Sequence, residues 1–187
     1  MKFSISSSIL AILPLASFAV GATLPLESRQ TCTLTCGNVQ DSLPFIQSFS
    51  QSGTDHFYTT STTENAQFAA KGYAAQGVAG RIFPTQEPGT VPFFRLFNAG
   101  WVDHTYTANQ QLRSAEINIT KPPYADDIIA GYVYLDGSCP GTIPLFWAFS
   151  TSITDSFFTT DLAEYDSAIS SGVYNGQGVA AWIYPAA

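Results

Sequence analysis

The chain says one thing three times. Pro44-Phe45-Ile46 leads to Asp55-His56-Phe57-Tyr58-Thr59-Thr60, Pro92-Phe93-Phe94 leads to Asp103-His104-Thr105-Tyr106-Thr107, and Pro144-Leu145-Phe146 leads to Asp155-Ser156-Phe157-Phe158-Thr159-Thr160. The proline precedes the aspartate by the same 11 residues each time (55 − 44, 103 − 92, 155 − 144). A repeat of this length is one supersecondary unit that cannot bury its apolar face alone, so three copies must share a core.

Within each repeat the periodicity changes in a fixed order. Phe45, Gln47 and Phe49 alternate with Ile46 and Ser48; Phe93, Arg95, Phe97 and Leu145, Trp147, Phe149 do the same. Period two is a strand, and a proline at its first position is tolerated. A polar loop and a second short strand over 56–60 complete a hairpin. Ser61-Thr62-Thr63-Glu64 then reads as a capping box that opens a helix, matched by Asp161-Leu162-Ala163-Glu164 and, without the acid, by Asn109-Gln110-Gln111-Leu112. The first and third helices should stop at Gly72 and Gly172, while Pro122-Pro123 should end the second one earlier. Apolar strands over 77–83, 128–134 and 178–184 close the units and should be largely buried. The expected fold is α+β and sheet-rich: three ββαβ repeats, about 44–84, 92–134 and 144–185, in one pseudo-threefold compact domain spanning 30–187. Phe49, Phe97 and Phe149 are expected in its core.

The first residues read differently. Met1-Lys2, the apolar run Ile9–Val20 and the small residues after it form a secretory signal peptide, taken as 1–22, with Arg29 as a further processing site. About 158 residues remain after Arg29 (187 − 29), which suits a single domain. The whole chain carries a formal charge of −7; without Lys2, Glu27 and Arg29 it has 5 Lys+Arg against 13 Asp+Glu, or −8. With no basic run, nucleic acid and anionic membranes are excluded as partners. A secreted, extracellular monomer is expected, with no cofactor.

Three cysteines follow the leader. Cys36–Cys139 is the favoured bridge because each precedes a repeat at a similar place; Cys32–Cys139 and a local Cys32–Cys36 loop stay open. No CxxC pair or His cluster accompanies them, so no metal site is expected. Asn118-Ile119-Thr120 is a glycosylation sequon in the most divergent repeat.

The pattern Pro–aromatic–Arg–Leu–Phe–Asn, then Asp-His-(Phe/Thr)-Tyr-Thr, then Gly-Val-Ala-Gly–aromatic resembles a secreted repeat family whose core motif is Gly-Asp-His-Phe-Tyr-Thr-Thr and which bears a domain-of-unknown-function label. The resemblance covers about Pro44 to Pro185. Bacterial members are often appended to glycoside hydrolases, peptidases and cell-wall lytic enzymes, and fungal members stand alone, as here. It implies a non-catalytic ancillary module that binds wall carbohydrate. This chain departs from the pattern at Gln47 and Trp147, where the family commonly has Arg, and at Ser156 and Phe158, where His and Tyr are replaced.

The Asp-His pairs carry the sharpest chemistry. Neighbouring strand residues point to opposite faces, so Asp55 and His56 make no dyad with each other, and no Gly-x-Ser-x-Gly elbow is present. The favoured reading is structural: Asp accepts turn N–H bonds and His bonds a nearby carbonyl. Ligand binding comes second. Its candidates are Asp55, His56, Tyr58, Trp101, Asp103, His104, Tyr106, Trp147 and Asp155, with the rings stacking on sugar faces. Glu64 and Glu164 are taken as caps and Asp126-Asp127 as solvated, so no catalytic carboxylate pair is assigned. The expected role is a non-catalytic module binding carbohydrate or cell-wall polymer; the alternatives are a wall-polymer hydrolase and a small effector that binds a protein.

Overall fold

A computed structural model describes residues 35–186. The leader, the Arg29 processing site and Cys32 lie outside the described residues. A 3-10 turn, Val39–Asp41, precedes three copies of one unit. The first comprises β1 (Leu43–Ser50), β2 (Asp55–Thr59), α1 (Thr62–Ala69) and β3 (Tyr73–Ile82). The second comprises β4 (Val91–Asn98), β5 (Asp103–Thr107), α2 (Gln110–Asn118) and β6 (Ala125–Val133). The third comprises β7 (Ile143–Ser150), β8 (Asp155–Thr159), α3 (Leu162–Ser170) and β9 (Asn175–Ile183). Each unit is a three-stranded antiparallel sheet ordered β2-β1-β3, β5-β4-β6 or β8-β7-β9. The ββαβ reading therefore holds in all three.

The short strands β2, β5 and β8 are buried at every residue. They face one another around the pseudo-threefold axis and bring Tyr58, Tyr106 and Phe158 into contact edge to face. Phe45, Phe93 and Leu145 from the central strands complete this core. At the base the sheets are stitched by backbone pairs: Arg81 with Tyr184, Phe83 with Tyr132, and Tyr134 with Trp182. There Phe83, Tyr134 and Tyr184 form a triangle of mutually perpendicular rings. The approach is close enough that a Cβ on Gly131 would lie 2.7 Å from the Phe83 carbonyl oxygen, which only glycine allows. The Cys36–Cys139 disulfide fastens the N-terminal arm beside this triangle.

Several local expectations are corrected. The closing strands begin earlier than expected, and their first halves are exposed apart from Tyr73; otherwise only the ends that meet at the base are buried. The helix α2 spans nine residues, as long as α3, so Pro122-Pro123 does not shorten it. Ser61, Asn109 and Asp161 do cap their helices. Glu64 and Glu164 do not reach back to the cap, however: they accept from the Thr59 and Thr159 hydroxyls. Phe49, Phe97 and Phe149, expected in the core, are only half-buried.

Candidate functional site

The three aspartates converge. The hairpin turns before them place Thr54, Val102 and Thr154 at φ 51°, 57° and 52°, a left-handed conformation that is costly for β-branched residues. That bend drives Asp55, Asp103 and Asp155 inward, where all three are fully buried and offer oxygens within 4.8 Å of one another. Each carboxylate clasps the next repeat. Asp55 accepts the His104 backbone N–H at 2.8 Å and its Nδ1–H at 2.6 Å. Asp155 accepts the same two groups of His56 at 2.9 and 2.7 Å. Asp103 accepts the Ser156 backbone N–H at 2.7 Å and its hydroxyl at 3.2 Å. A tyrosine of each aspartate's own repeat donates as well: Tyr73, Tyr124 and Tyr174. The oxygens that could face a metal ion are thus engaged by the protein itself.

The clasp corrects the structural reading of the motif. The Asp-His partnership is real but runs between repeats, which spacing along one strand does not reveal. Burial, reinforced by the charges of Asp155 and Asp55, pushes the Asp103 carboxyl up to about 7 against the hydrogen bonds it receives. Its partner is the one serine where the other two aspartates have imidazoles.

A second ring of contacts runs the opposite way. The Tyr106 hydroxyl accepts from Tyr58 N–H and donates to Tyr58 C=O, at 2.8 and 2.7 Å. The Tyr58 hydroxyl does the same to Phe158, at 2.9 and 2.8 Å. Phe158 has no hydroxyl with which to continue. Tyr58 and Tyr106 are 0% and 1% exposed, so the ligand-stacking role expected of them is corrected: they are core staples. Asp55, Asp103 and Asp155 are likewise removed from any ligand contact by their burial.

A groove lies at each of the three seams between repeats. The first, about 500 Å³, is bounded by Glu64 and Phe68 of α1, by Lys71 just after it, and by Arg95, Phe97 and His104 of the next repeat. It is filled with its own charges. Arg95, nearly buried, donates to Glu64 (2.7 and 3.1 Å) and Asp127 (2.6 Å) and lies over the Phe57 ring, while Lys71 lies over Phe68. Burial opposes ionisation of Glu64, but the bonds from Arg95 and Thr59 hold it below the usual carboxylate range. Asp127 is therefore an ion-pair partner, and Asp126 pairs with Arg113, so neither is simply solvated. The third groove, about 300 Å³, includes His56, Phe157, Glu164 and Tyr174. His56 and His104 reach their grooves only by a ring edge, with side chains 10% and 6% exposed. Neither Nε2 is hydrogen-bonded within the described residues.

The second groove, about 350 Å³, lies between repeats 2 and 3 and is chemically unlike the others. Trp101, Tyr124, Trp147 and Phe149 line it, with Thr105, Glu116, Ser156 and Gln177 among its polar groups. At equivalent positions the first groove has Arg95 where this one has Trp147, His104 where it has Ser156, Phe68 where it has Glu116, and Phe57 beneath where it has Thr105. The seam also lacks both inter-repeat locks found elsewhere, the imidazole of the clasp and the tyrosine staple. In the other repeats the side chains that correspond to Trp147 and Gln177 bond each other: Gln47 donates to Gln76 at 3.0 Å, and Arg95 to Asp127. Here Gln177 donates to Asn175 C=O at 3.1 Å, and Trp147 Nε1 is the one buried side-chain polar atom among the described residues without a partner.

Of the residues expected to bind ligand, the structure thus brings Trp101 and Trp147 into one groove. Tyr124, Phe149, Glu116 and Gln177 were missed. Their signal was the set of departures at Trp147 and Ser156, which mark the seam where room opens. Asn118 is exposed at the end of α2, its amide donating to Ser114 C=O at 2.8 Å. No helix among the described residues is long and apolar enough to cross a membrane.

No curated protein and no solved structure matches the chain. A family model does, over residues 44–184, three repeats' worth of sequence from the first proline to the last buried tyrosine. The chain belongs to the family described as Domain of unknown function (DUF5648).

Proposed function

We propose that this protein is a secreted, non-catalytic module that binds carbohydrate, such as a sugar unit of a cell-wall polymer, in the groove between repeats 2 and 3. The observation that carries the reading is the meeting of Trp101 and Trp147 in one groove. They come from different repeats, and their rings join those of Tyr124 and Phe149 beside hydroxyl, amide and carboxylate groups. A sugar presents apolar C–H faces edged by hydroxyls, and aromatic walls with a few polar groups are what such a ligand needs. A volume near 350 Å³ suits one or two sugar units. Because the linings of the other two grooves contain no tryptophan and the first is crossed by the Arg95 ion pairs, binding is through one site per chain, not three equivalent ones.

The disulfide and the leader sequence support secretion, and the exposed position of Asn118 supports a glycan there. The Asp155–His56 and Asp55–His104 pairs are the observation that favours a hydrolase instead. Against it, no serine, threonine or cysteine side chain is bonded to either imidazole among the described residues, and the same pair is spent on holding repeats together.

The test is a binding screen of the purified secreted protein against immobilised oligosaccharides of β-glucan, chitin and chitosan, with Trp101→Ala and Trp147→Ala alongside. Binding that both variants lose, with their unfolding midpoints intact, supports the site. Binding that survives in both variants refutes it, and release of new reducing ends would replace the reading with the hydrolase.

A further inference from the structure

We infer that the groove between repeats 2 and 3 selects a protonated amine carried on its sugar, so that its preferred ligand is an amino sugar with a free amino group. This rests on the carbohydrate reading above and adds the charge of the ligand to it. The argument is a comparison between two equivalent grooves of one molecule.

The first groove is a cation-binding arrangement already filled from within. The carboxylates of Glu64 and Asp127 and the ring of Phe57 engage the guanidinium of Arg95, and the ring of Phe68 lies under the ammonium of Lys71. Rings and carboxylates together stabilise a cation because the negative ring face and the anion add. The second groove retains none of these four groups, having Leu112, Gln177, Thr105 and Glu116 at the places of Glu64, Asp127, Phe57 and Phe68; it has instead its own rings, Trp101, Tyr124, Trp147 and Phe149, one carboxylate, Glu116, and no internal cation. Trp147 stands in the place of Arg95, at the offset of 52 residues between repeats 2 and 3 (144 − 92), and Ile119 in the place of Lys71, at the offset of 48 between repeats 1 and 2 (92 − 44). None of the residues that line it is Lys, Arg or His. Its carboxylate, Glu116, makes no ion pair among the described residues; its one bond is accepted from the Thr120 hydroxyl at 2.7 Å.

Glu116 is therefore a half-buried anion among four aromatic residues with no counter-charge of its own. A neutral sugar can offer that anion hydroxyl donors but no counter-charge, so burying it further stays costly. A ligand with an ammonium group supplies the missing charge and offers it to Trp101, Tyr124 and Trp147 as well. The only other ionisable group in the lining, the Tyr124 phenol, donates to Asp103; burial and then the Asp103 charge push its pKa upward, so it stays neutral. The acidity of the whole chain favours the same ligand at long range.

The experiment is calorimetric titration with the glucosamine tetramer and the N-acetylglucosamine tetramer, at one mildly acidic pH where a sugar amine is protonated. The free-amine tetramer should bind about tenfold more tightly, the scale of one partly desolvated ion pair with a cation–π contact. Glu116→Gln, which retains an acceptor for Thr120, should abolish the roughly tenfold preference for the free-amine tetramer over the acetylated one. Equal binding of both tetramers by the native protein, or a preference that survives Glu116→Gln, would overturn the inference while leaving the carbohydrate reading in place. Absence of binding by either tetramer, with other wall sugars also failing, would overturn both.

Discussion

Asp155 and His56 stand 99 positions apart, yet the carboxylate of the first accepts both the backbone N–H and the Nδ1–H of the second, at 2.9 and 2.7 Å. This contact closes the last repeat onto the first. It turns a linear array into a ring, which removes the exposed apolar ends that an open array would have to cap.

Loss of that closure should be severe. Asp155→Ala leaves the His56 N–H and ring nitrogen and the Tyr174 hydroxyl without their acceptor inside the protein. Leaving buried donors unsatisfied costs about 1–3 kcal/mol each, and urea unfolding should show a loss of a few kcal/mol. Asp155→Asn retains an acceptor and should cost less. A loss for Asp155→Ala below about 1 kcal/mol, as for an exposed pair, would mean that the ring closes by other means.

The clasp also predicts a pH dependence. Asp103 is held at about 7 in the folded state, above an ordinary aspartate, so between the two values the folded protein binds more protons than the unfolded chain. Stability contributed by this group is then present at acid pH and falls as pH rises from about 4 to 7, by up to a few kcal/mol. Glu64, held low, acts in the opposite sense at the acid end: its contribution is lost as pH falls through its folded value. Unfolding midpoints should therefore be higher near pH 5.5 than near pH 8, and Asp103→Asn should flatten that difference. A midpoint that rises steadily from pH 5.5 to 8 would contradict the assignment.

The staple predicts a subtler loss. Tyr106→Phe preserves the ring packing but leaves the Tyr58 backbone N–H and C=O without the partner they meet now. An unsatisfied buried polar group costs about 1–3 kcal/mol. Chemical denaturation should report a loss in that range. A change within a few tenths would show that another donor or acceptor takes over.

The repeats, their ββαβ order and the helix caps were legible because each depends on local pattern: period two, then a cap, then a closing strand. The Cys36–Cys139 bridge was legible from the matched places of the two residues before their repeats. What was not legible depends on which repeat follows which around the axis. Asp55 meets His104 and not His56, and Arg95 meets Glu64 across a seam, and neither pairing leaves a trace in spacing along one strand. The same reason hid Tyr58 and Tyr106. An Asp-His-x-Tyr strand looks like a surface motif until three copies are packed against each other, when alternation no longer marks one face as solvent. Trp101 and Trp147 were identifiable singly, as a ring in a hairpin turn and a departure from the repeat. Their meeting in one groove was not.

The disulfide spans 103 positions and ties the N-terminal arm to the linker before the third repeat. In the chain-entropy account a loop of that length stabilises by up to about 4.7 kcal/mol, and native bridges measured in small domains contribute about 2–5. Cys36→Ser with Cys139→Ser should lower stability by that amount while leaving the groove between repeats 2 and 3 intact, since the bridge sits at the base with Phe83, Tyr134 and Tyr184. Ligand affinity at a temperature where the variant is folded should be unchanged. A variant that is fully folded but has lost affinity would show that the base and the groove are coupled.

Ser156→His tests how far the opening of one groove and the weakness of one seam have the same cause. In the other repeats an imidazole fills this place, 4.5 Å from the ring of Phe49 or Phe97 and bonded to the aspartate of the neighbouring repeat, Asp155 or Asp55. The introduced imidazole should lie against Phe149 in the same way and donate to Asp103. Two effects should appear together. Asp103 gains a partner able to carry a positive charge, so the stability lost between acid and neutral pH should shrink. The groove loses the space that Ser156 leaves, so affinity for a sugar ligand should fall severalfold or more. If stability at neutral pH rises and affinity falls, the serine is a change that trades a lock between repeats for a binding cavity. If affinity is untouched, the ligand does not occupy the inner part of the groove, and Trp101 near its rim becomes the position to pursue.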